Sequence, residues 1–369
     1  LVSDVREDYV ADLKERKIST TEPEVEFLLE RSSKLRATTD NRQVIRECDL
    51  IYTLVPTPSQ DDGSYDVSAV WRVVEDFKQE MGSLANYPKT LVVGSTVNPG
   101  DCMQFREQLP ASVGIFYNPE FIAQGSIIHD MRHADMVLLG YNAMAYGRGQ
   151  SIDDRVIENI RTLYTKIQVT RCILCQMSLT AAEITKIAIN CFLTTKISYA
   201  NMLGDTLHRA GCGDEVASVL GAIGTDQRVG KKYLNWGVGY GGPCLPRDNR
   251  AFAAFADQLG MEYNLGYVTD GINNEHATFI ADYWEGMNKD GTPFYFDYIT
   301  YKKGTDILEE SQQYRLCLDL LDRGHYVYIR NDYRVTPYVH QYLHNLYGDR
   351  VRFVDNKHNI TENIFCVNL

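Results

Sequence analysis

No stretch of the 369 residues comes near the roughly 18 uninterrupted apolar positions that a membrane-crossing helix needs. Basic charge is also short: 37 Lys and Arg stand against 49 Asp and Glu, a net charge of −12. The first absence points to a soluble, cytoplasmic chain with no membrane partner. The second argues against nucleic acid, whose phosphates need a basic face. It leaves room for a small phosphorylated ligand, because Lys186, Arg228, Lys231, Lys232, Arg247, Lys302 and Lys303 can still form a local positive pocket. Metal-ligand spacing is scarce too. Cys172 and Cys175 have knuckle spacing, but no second Cys-x-x-Cys or suitable His pair accompanies them, and His129 and His133 lack a third ligand. No metal is expected. The nine cysteines are odd in number and scattered from Cys48 to Cys366, unlike the paired framework of a small secreted domain, so reduced thiols are expected.

With 44% hydrophobic and 23% charged residues, the chain can form two or three domains with proper cores. Its first half alternates strand-like and helix-like segments, the pattern of a parallel sheet covered by helices. Two strand-like runs end in turn residues: Leu50 to Val55 stops at Pro56-Thr57-Pro58, and Thr90 to Gly94 runs into Ser95-Thr96-Val97-Asn98-Pro99-Gly100. Ligands of open α/β sheets bind at the carboxyl ends of strands, so both loops are candidate cofactor walls. The opening Leu1-Val2-Ser3-Asp4 reads as the end of a second strand, with Asp4 as the acid that bonds a ribose. That acid normally follows a Gly-x-Gly-x-x-Gly fingerprint by roughly 20 residues. None precedes it here, and the expectation is that a first strand and phosphate loop lie before Leu1.

Chemistry is concentrated in Gly237-Val238-Gly239-Tyr240-Gly241-Gly242-Pro243-Cys244-Leu245-Pro246-Arg247-Asp248, a glycine-lined loop carrying a thiol and, four residues later, a carboxylate. Glycine removes Cβ atoms where a ligand or another backbone must come close. The loop reads either as a covalent catalytic site or as a flexible turn with a core cysteine. From Thr180 to about Gly211 there is no proline, and apolar residues recur at three- and four-residue steps, so one long helix is expected. Lys186 and Asn190 share a face of it. They address one ligand, or are simply a solvated lysine and a tolerated asparagine. A third block, strand-like from Phe294 to Tyr301, helical around Leu316 to Leu321 and strand-like from His325 to Ile329, is a second and smaller α/β unit.

Taken in order, these motifs resemble the UDP-glucose/GDP-mannose dehydrogenase family. The matching stretches are Thr21-Glu22-Pro23, Val55-Pro56-Thr57-Pro58, Ser95-Thr96-Val97, Asn118-Pro119-Glu120-Phe121, Ala182-Glu183 leading to Lys186 and Asn190, Asp226-Gln227-Arg228-Val229-Gly230, the cysteine loop, and Tyr301-Lys302 with Ser311 beyond. The resemblance implies an α/β fold with two Rossmann-like parallel-sheet domains joined by a long central helix. Residues 1–178 would bind NAD, 179–285 would form a helical dimerisation domain, and 286–369 would bind the UDP-sugar.

It further implies four-electron, NAD-dependent oxidation of a nucleotide sugar, UDP-glucose to UDP-glucuronate, in a homodimer. Two hydride transfers pass through an aldehyde that a thiol can hold, so Cys244 would form a thiohemiacetal and then a thioester. Lys186 and Asn190 would stabilise the developing alkoxide, Asp248 would act through water, and Glu120 would activate the hydrolytic water. Phe121, Tyr233, Asn235, Gly237, Gly241 and Lys302 would line the sugar and phosphates, with Arg228 reaching the partner subunit's ligand. Asp4, Thr57, Ser95, Thr96 and Gln124 would line the cofactor. Several positions depart from the family's pattern: Tyr9 stands where a basic residue is usual, Gln124 where an acid is, Arg247 for a lysine and Glu309 for an arginine. Tyr9, Gln124 and Glu309 motivate a second reading, a non-catalytic nucleotide-sugar binder. GDP-mannose and UDP-N-acetylhexosamines are the rival substrates.

Overall fold

Runs of Val, Leu, Ile and Phe too short for helices alternate with amphipathic helical segments, and in the computed structural model these become alternating strands and helices. Residues 1–82, 88–142, 152–332 and 337–367 are described. The chain divides into two units, 1–187 and 188–369.

The first unit runs β1 (Val2–Ser3), α1 (Glu7–Glu15), α2 (Val25–Glu30), β2 (Ala37–Thr38), α3 (Asn41–Glu47), β3 (Leu50–Thr53), α4 (Ser68–Met81), β4 (Lys89–Val93), α5 (Asp101–Gln108), β5 (Val113–Tyr117), α6 (Ile127–Arg132), β6 (Met136–Tyr141), α7 (Ile152–Ile167) and β7 (Ile173–Met177). It ends in the first turns of α8 (Leu179–Arg209), whose 31 residues span about 46 Å. The five-stranded sheet has the order β3-β4-β5-β6-β7, and β1 pairs with β2 in a separate parallel two-stranded sheet. Ser3 fastens β1 to α3 by donating to Asn41 at 2.8 Å.

The five-stranded sheet is mixed rather than wholly parallel, because β5 and β6 pair antiparallel. The connection explains this. A parallel neighbour needs a crossover that carries the chain back past a five-residue strand of about 17 Å, whereas six-residue α6 is about 9 Å long. The chain therefore turns back along β5. The 16 residues of α7 are long enough for the crossover, and β7 pairs with β6 in parallel.

Strand alternation divides the core between two faces. Leu91 and Val93, Ile115 and Tyr117, and Leu138 point to α4, α5 and the start of α8. Val92, Phe116, Val137 and Leu139 point to Val156, Ile157, Ile160 and Tyr164 of α7. On α4 the buried set is Val70, Val74, Phe77 and Met81, a helical repeat. Each such side chain stabilises the layer by roughly 1.5–3 kcal/mol relative to exposure.

The second unit takes up α8 and continues through α9 (Val216–Thr225), α10 (Leu245–Gln258), α11 (Leu265–Met287), β8 (Phe294–Phe296), α12 (Gln312–Asp322), β9 (Val327–Arg330), α13 (Pro337–Tyr347), β10 (Val351–Val354) and β11 (Phe365–Cys366). Its sheet has the order β10-β9-β8-β11 with every pair parallel. Phe294, Phe296, Val327, Ile329 and Val351 pack with Leu316, Cys317, Leu320 and Leu321 of α12 and Leu343 of α13. The expected strand from Phe294 to Tyr301 stops at Phe296. Beyond it Thr300 and Thr305 donate to the Lys302 carbonyl at 3.0 and 2.8 Å, which folds the segment into a turn.

Candidate active site

Register places three loops of the first unit on one edge. Thr53 pairs with Val93 and Val93 with Tyr117, so the segments after β3, β4 and β5 leave side by side. The Asn118 amide N–H donates to the Val93 carbonyl at 2.9 Å, carrying this alignment one residue further. Asn118 is buried, and its side-chain amide donates to the Leu138 carbonyl at 2.9 Å. Its Oδ1 faces the hydroxyls of Tyr52 at 3.1 Å and Tyr164 at 3.0 Å. Tyr164 Oη also lies 3.0 Å from Glu120 Oε1. Burial pushes the Glu120 carboxyl above the usual range, while the Tyr164 hydrogen bond and the Lys186 charge pull it back.

Lys186 lies on α8, 9% exposed, with its Nζ 4.6 Å from the centroid of the Phe121 ring. Its place is set three residues earlier. Fully buried Glu183 accepts the Gly100 N–H at 2.6 Å and the Cys102 N–H at 2.7 Å, capping the start of α5. Burial raises the Glu183 carboxyl against the pull of these donors. A Cβ on Gly140 would lie 2.7 Å from the Ala182 Cβ, so β6 and α8 are in close contact there. The first unit thus gathers Glu120, Phe121 and Lys186 of the expected site. It adds Tyr164 and Tyr52, which no motif marks, and the cap formed by Glu183.

Asp4 directly follows β1 and accepts the Arg6 backbone N–H at 2.9 Å and the Arg6 guanidinium at 3.3 Å. The Arg6 N–H holds the Asp4 carboxyl below its usual range, against the effect of burial. Arg6 also stacks over Tyr9 at 4.2 Å, so a cation stands beside Asp4 although position 9 holds none. Ser95 is buried and both donates to the Val55 carbonyl and accepts the Val55 N–H, each at 2.8 Å; buried Thr57 donates to the Thr96 carbonyl at 2.7 Å. Their hydroxyls fasten the two loops to each other, so they give a cofactor wall its shape. An ionised carboxylate at a strand's carboxyl end, which can accept ribose hydroxyls, fits a dinucleotide. Gln124 lies exposed in the loop that Glu22 holds by accepting the Gly125 N–H at 2.5 Å.

In the second unit Cys244 is exposed and is the residue from which α10 starts, with Pro246 in the first turn. Asp248, 1% exposed, donates its backbone N–H to the Cys244 carbonyl at 2.9 Å. Its carboxylate accepts the Asn190 amide at 2.6 Å and Arg247 Nε at 3.4 Å. Half-buried Asn190 and buried Asp248 are therefore hydrogen-bonded to each other at the first turn of α10.

The loop's glycines mostly make room for the protein itself. A Cβ on Gly241 would meet the Glu310 carbonyl, one on Gly239 the Asn273 side chain, and Gly242 has φ +81° beside the Tyr301 ring. Gly237 alone of the four has open space within 4 Å of such a Cβ. The loop is pinned by residues with no sequence signal of their own. Asn273 accepts the Tyr240 N–H and donates to its carbonyl, each at 3.0 Å, and buried His276 spans the Asp205 carboxylate at 2.8 Å and the Gly237 carbonyl at 2.5 Å. Tyr233, Asn235 and Lys302 are exposed. Arg228 is exposed as well and pairs with Asp226 at 2.6 Å, and Glu309, which stands in place of the family's arginine, is exposed.

Residues 1–168 match the NAD-binding domain of the UDP-glucose/GDP-mannose dehydrogenase family, and residues 180–275 match its central domain. The UDP-glucose 6-dehydrogenase AglM of Haloferax volcanii is 30% identical over 335 residues, 87% of this chain and 75% of that protein. The chain belongs to the UDP-glucose/GDP-mannose dehydrogenase family. A UDP-glucose dehydrogenase from Pyrobaculum islandicum superimposes with a TM-score of 0.79 at 26% identity, covering 97% of this chain and 80% of that one. The UDP-D-ManNAc dehydrogenase of Pyrococcus horikoshii shares the fold, with a TM-score of 0.71 at 20% identity over 89% of this chain and 77% of its own. The family comprises NAD-dependent nucleotide-sugar dehydrogenases, and NAD is the cofactor. Among the described residues no helix is long and apolar enough to cross a membrane.

Proposed function

We propose that this chain oxidises UDP-glucose to UDP-glucuronate through a covalent adduct on Cys244. The observation that carries this reading is the exposed Cys244 thiol at the start of α10, one turn from the buried, amide-held carboxylate of Asp248. NAD, when bound, supplies the hydride acceptor for both oxidations; Asp4 would hold its ribose, against walls shaped by Thr57, Ser95 and Thr96 and near Gln124. The Lys186 ammonium stabilises the alkoxide from which the first hydride leaves. Cys244 sulfur then adds to the aldehyde carbon, and oxidation of that adduct leaves a thioester. The Glu120 carboxylate takes a proton from the attacking water, the C–S bond breaks and the thiolate returns. A carboxyl raised by burial suits this role, since a base works best with a pKa near the working pH. Asn190 holds Asp248 as the acid–base partner. Phe121, Tyr233, Asn235, Gly237, Gly241 and Lys302 line the sugar and phosphates.

A cytoplasmic homodimer completes the reading. Phe192, Tyr199 and Met202, seven and three residues apart on α8, are exposed, as an interface between copies requires, and Arg228 would reach the partner subunit's ligand. Sedimentation of the full chain tests the dimer; a monomer at assay concentration removes that role from Arg228.

Incubation of the full chain with NAD and UDP-glucose should release two NADH per sugar oxidised, and Cys244→Ser should abolish complete turnover. Normal turnover by that variant would sink the covalent scheme. Higher kcat/KM on GDP-mannose or a UDP-N-acetylhexosamine would reassign the substrate, and sugar-nucleotide binding without turnover would favour the non-catalytic binder.

A further inference from the structure

Two hydroxyl hydrogens meet two acceptors beside Glu120. Asn118 cannot turn its side chain, because its amide nitrogen donates to the Leu138 carbonyl at 2.9 Å, so its Oδ1 is fixed toward Tyr52 and Tyr164. Each tyrosine has one hydrogen to give. Tyr52 Oη has Asn118 Oδ1 at 3.1 Å, whereas Tyr164 Oη has Asn118 Oδ1 and Glu120 Oε1 both at 3.0 Å. The assignment that satisfies all four groups gives the Tyr52 hydrogen to Asn118 and the Tyr164 hydrogen to Glu120.

We propose that Tyr164, with its hydrogen released by the Tyr52–Asn118 bond, is a positioning residue that fixes Glu120 Oε1 and so presents Oε2 to the hydrolytic water. The assignment rests on the reading of Glu120 as the base that deacylates Cys244. In that step water gives its proton to Oε2 as its oxygen bonds the thioester carbon, and the C–S bond then breaks. Tyr164 goes on donating to Oε1 in the protonated carboxyl, so the group is satisfied before and after the transfer. Burial pushes both tyrosine hydroxyls up, which keeps them neutral donors at working pH. Among the described residues, the charged groups found beside the carboxyl are Lys186 from α8 and Asp130 from α6. Asp130 is occupied by the Ala123 N–H at 2.9 Å and the Ser126 hydroxyl at 2.8 Å, so Lys186 and Tyr164 are the groups that favour the ionised base.

The test compares Tyr164→Phe, Tyr52→Phe, Glu120→Gln and the Tyr164→Phe/Glu120→Gln double variant of the full chain, each checked for a native melting transition. Tyr164→Phe should move the acidic limb of the kcat–pH profile up by about one unit, lowering kcat about tenfold below that limb with KM unchanged. Intact-mass spectra should show the sugar adduct on Cys244 accumulating. Tyr52→Phe, which lets Asn118 compete for the Tyr164 hydrogen, should move the limb the same way by less. The double variant should be no slower than Glu120→Gln alone. An unmoved limb in both tyrosine variants, or additive losses in the double variant, overturns the proposal while leaving Glu120 as the base. Adduct hydrolysis at the wild-type rate by Glu120→Gln removes the base itself, and the role of Tyr164 falls with it.

Discussion

Glu183→Ala is the sharpest test of how the first unit holds Lys186. Glu183 is fully buried and accepts two backbone N–H groups, Gly100 at 2.6 Å and Cys102 at 2.7 Å. Alanine leaves both donors without an acceptor in a space shielded from water, at about 1–3 kcal/mol each. Relief from burying a carboxylate offsets part of this. A net loss of about 3 kcal/mol is expected. For a unit of this size roughly 2–4 °C accompanies each kcal/mol, so its calorimetric transition should fall by roughly 10 °C. Hydrogen exchange locates the effect: the Gly100 and Cys102 amides should lose about 100-fold of protection, while amides of β8 and β9 keep theirs. A loss below about 1 kcal/mol, or one shared by the second unit's strands, would refute the anchoring role.

Gly242→Ala should destabilise by more than about 1 kcal/mol, since φ is +81° and the new Cβ would press on the Tyr301 ring; urea denaturation reads the loss, and an unchanged midpoint would count against the loop geometry. Glu120→Gln should raise the melting temperature at neutral pH. Burial lifts the folded-state pKa of Glu120 above its unfolded value, so its contribution to stability is complete below the unfolded value, about 4.3, and is lost as pH rises through the folded one. The advantage of Gln should shrink as pH falls through that window, and a gap that does not vary with pH would contradict it.

Local pattern was enough for much of the fold. The three- and four-residue apolar steps from Thr180 onward belong to α8, and strand-like runs ending in Pro56 and Gly94 belong to β3 and β4, because side-chain periodicity is a property of the chain alone. Family motifs led to Glu120, Lys186 and Cys244 for the same reason: each sits in a contiguous signature. The direction of β6 was not legible, since it depends on α6 being too short to cross back. Nor did the exposure of Phe192 and Tyr199 follow from a spacing that reads equally well as core.

What tertiary structure alone decided is which polar atoms meet. Tyr164 is an apolar-face residue by its spacing on α7, and only packing against β5 brings its hydroxyl 3.0 Å from Glu120. Glu183 caps a helix that begins 82 residues earlier in the chain, and His276 holds a carbonyl 39 residues away. Residue types and their spacing set the helices, strands and reactive groups. Hydrogen bonds between positions far apart in sequence carry no period, so the partners that orient those groups become visible only when the chain is folded.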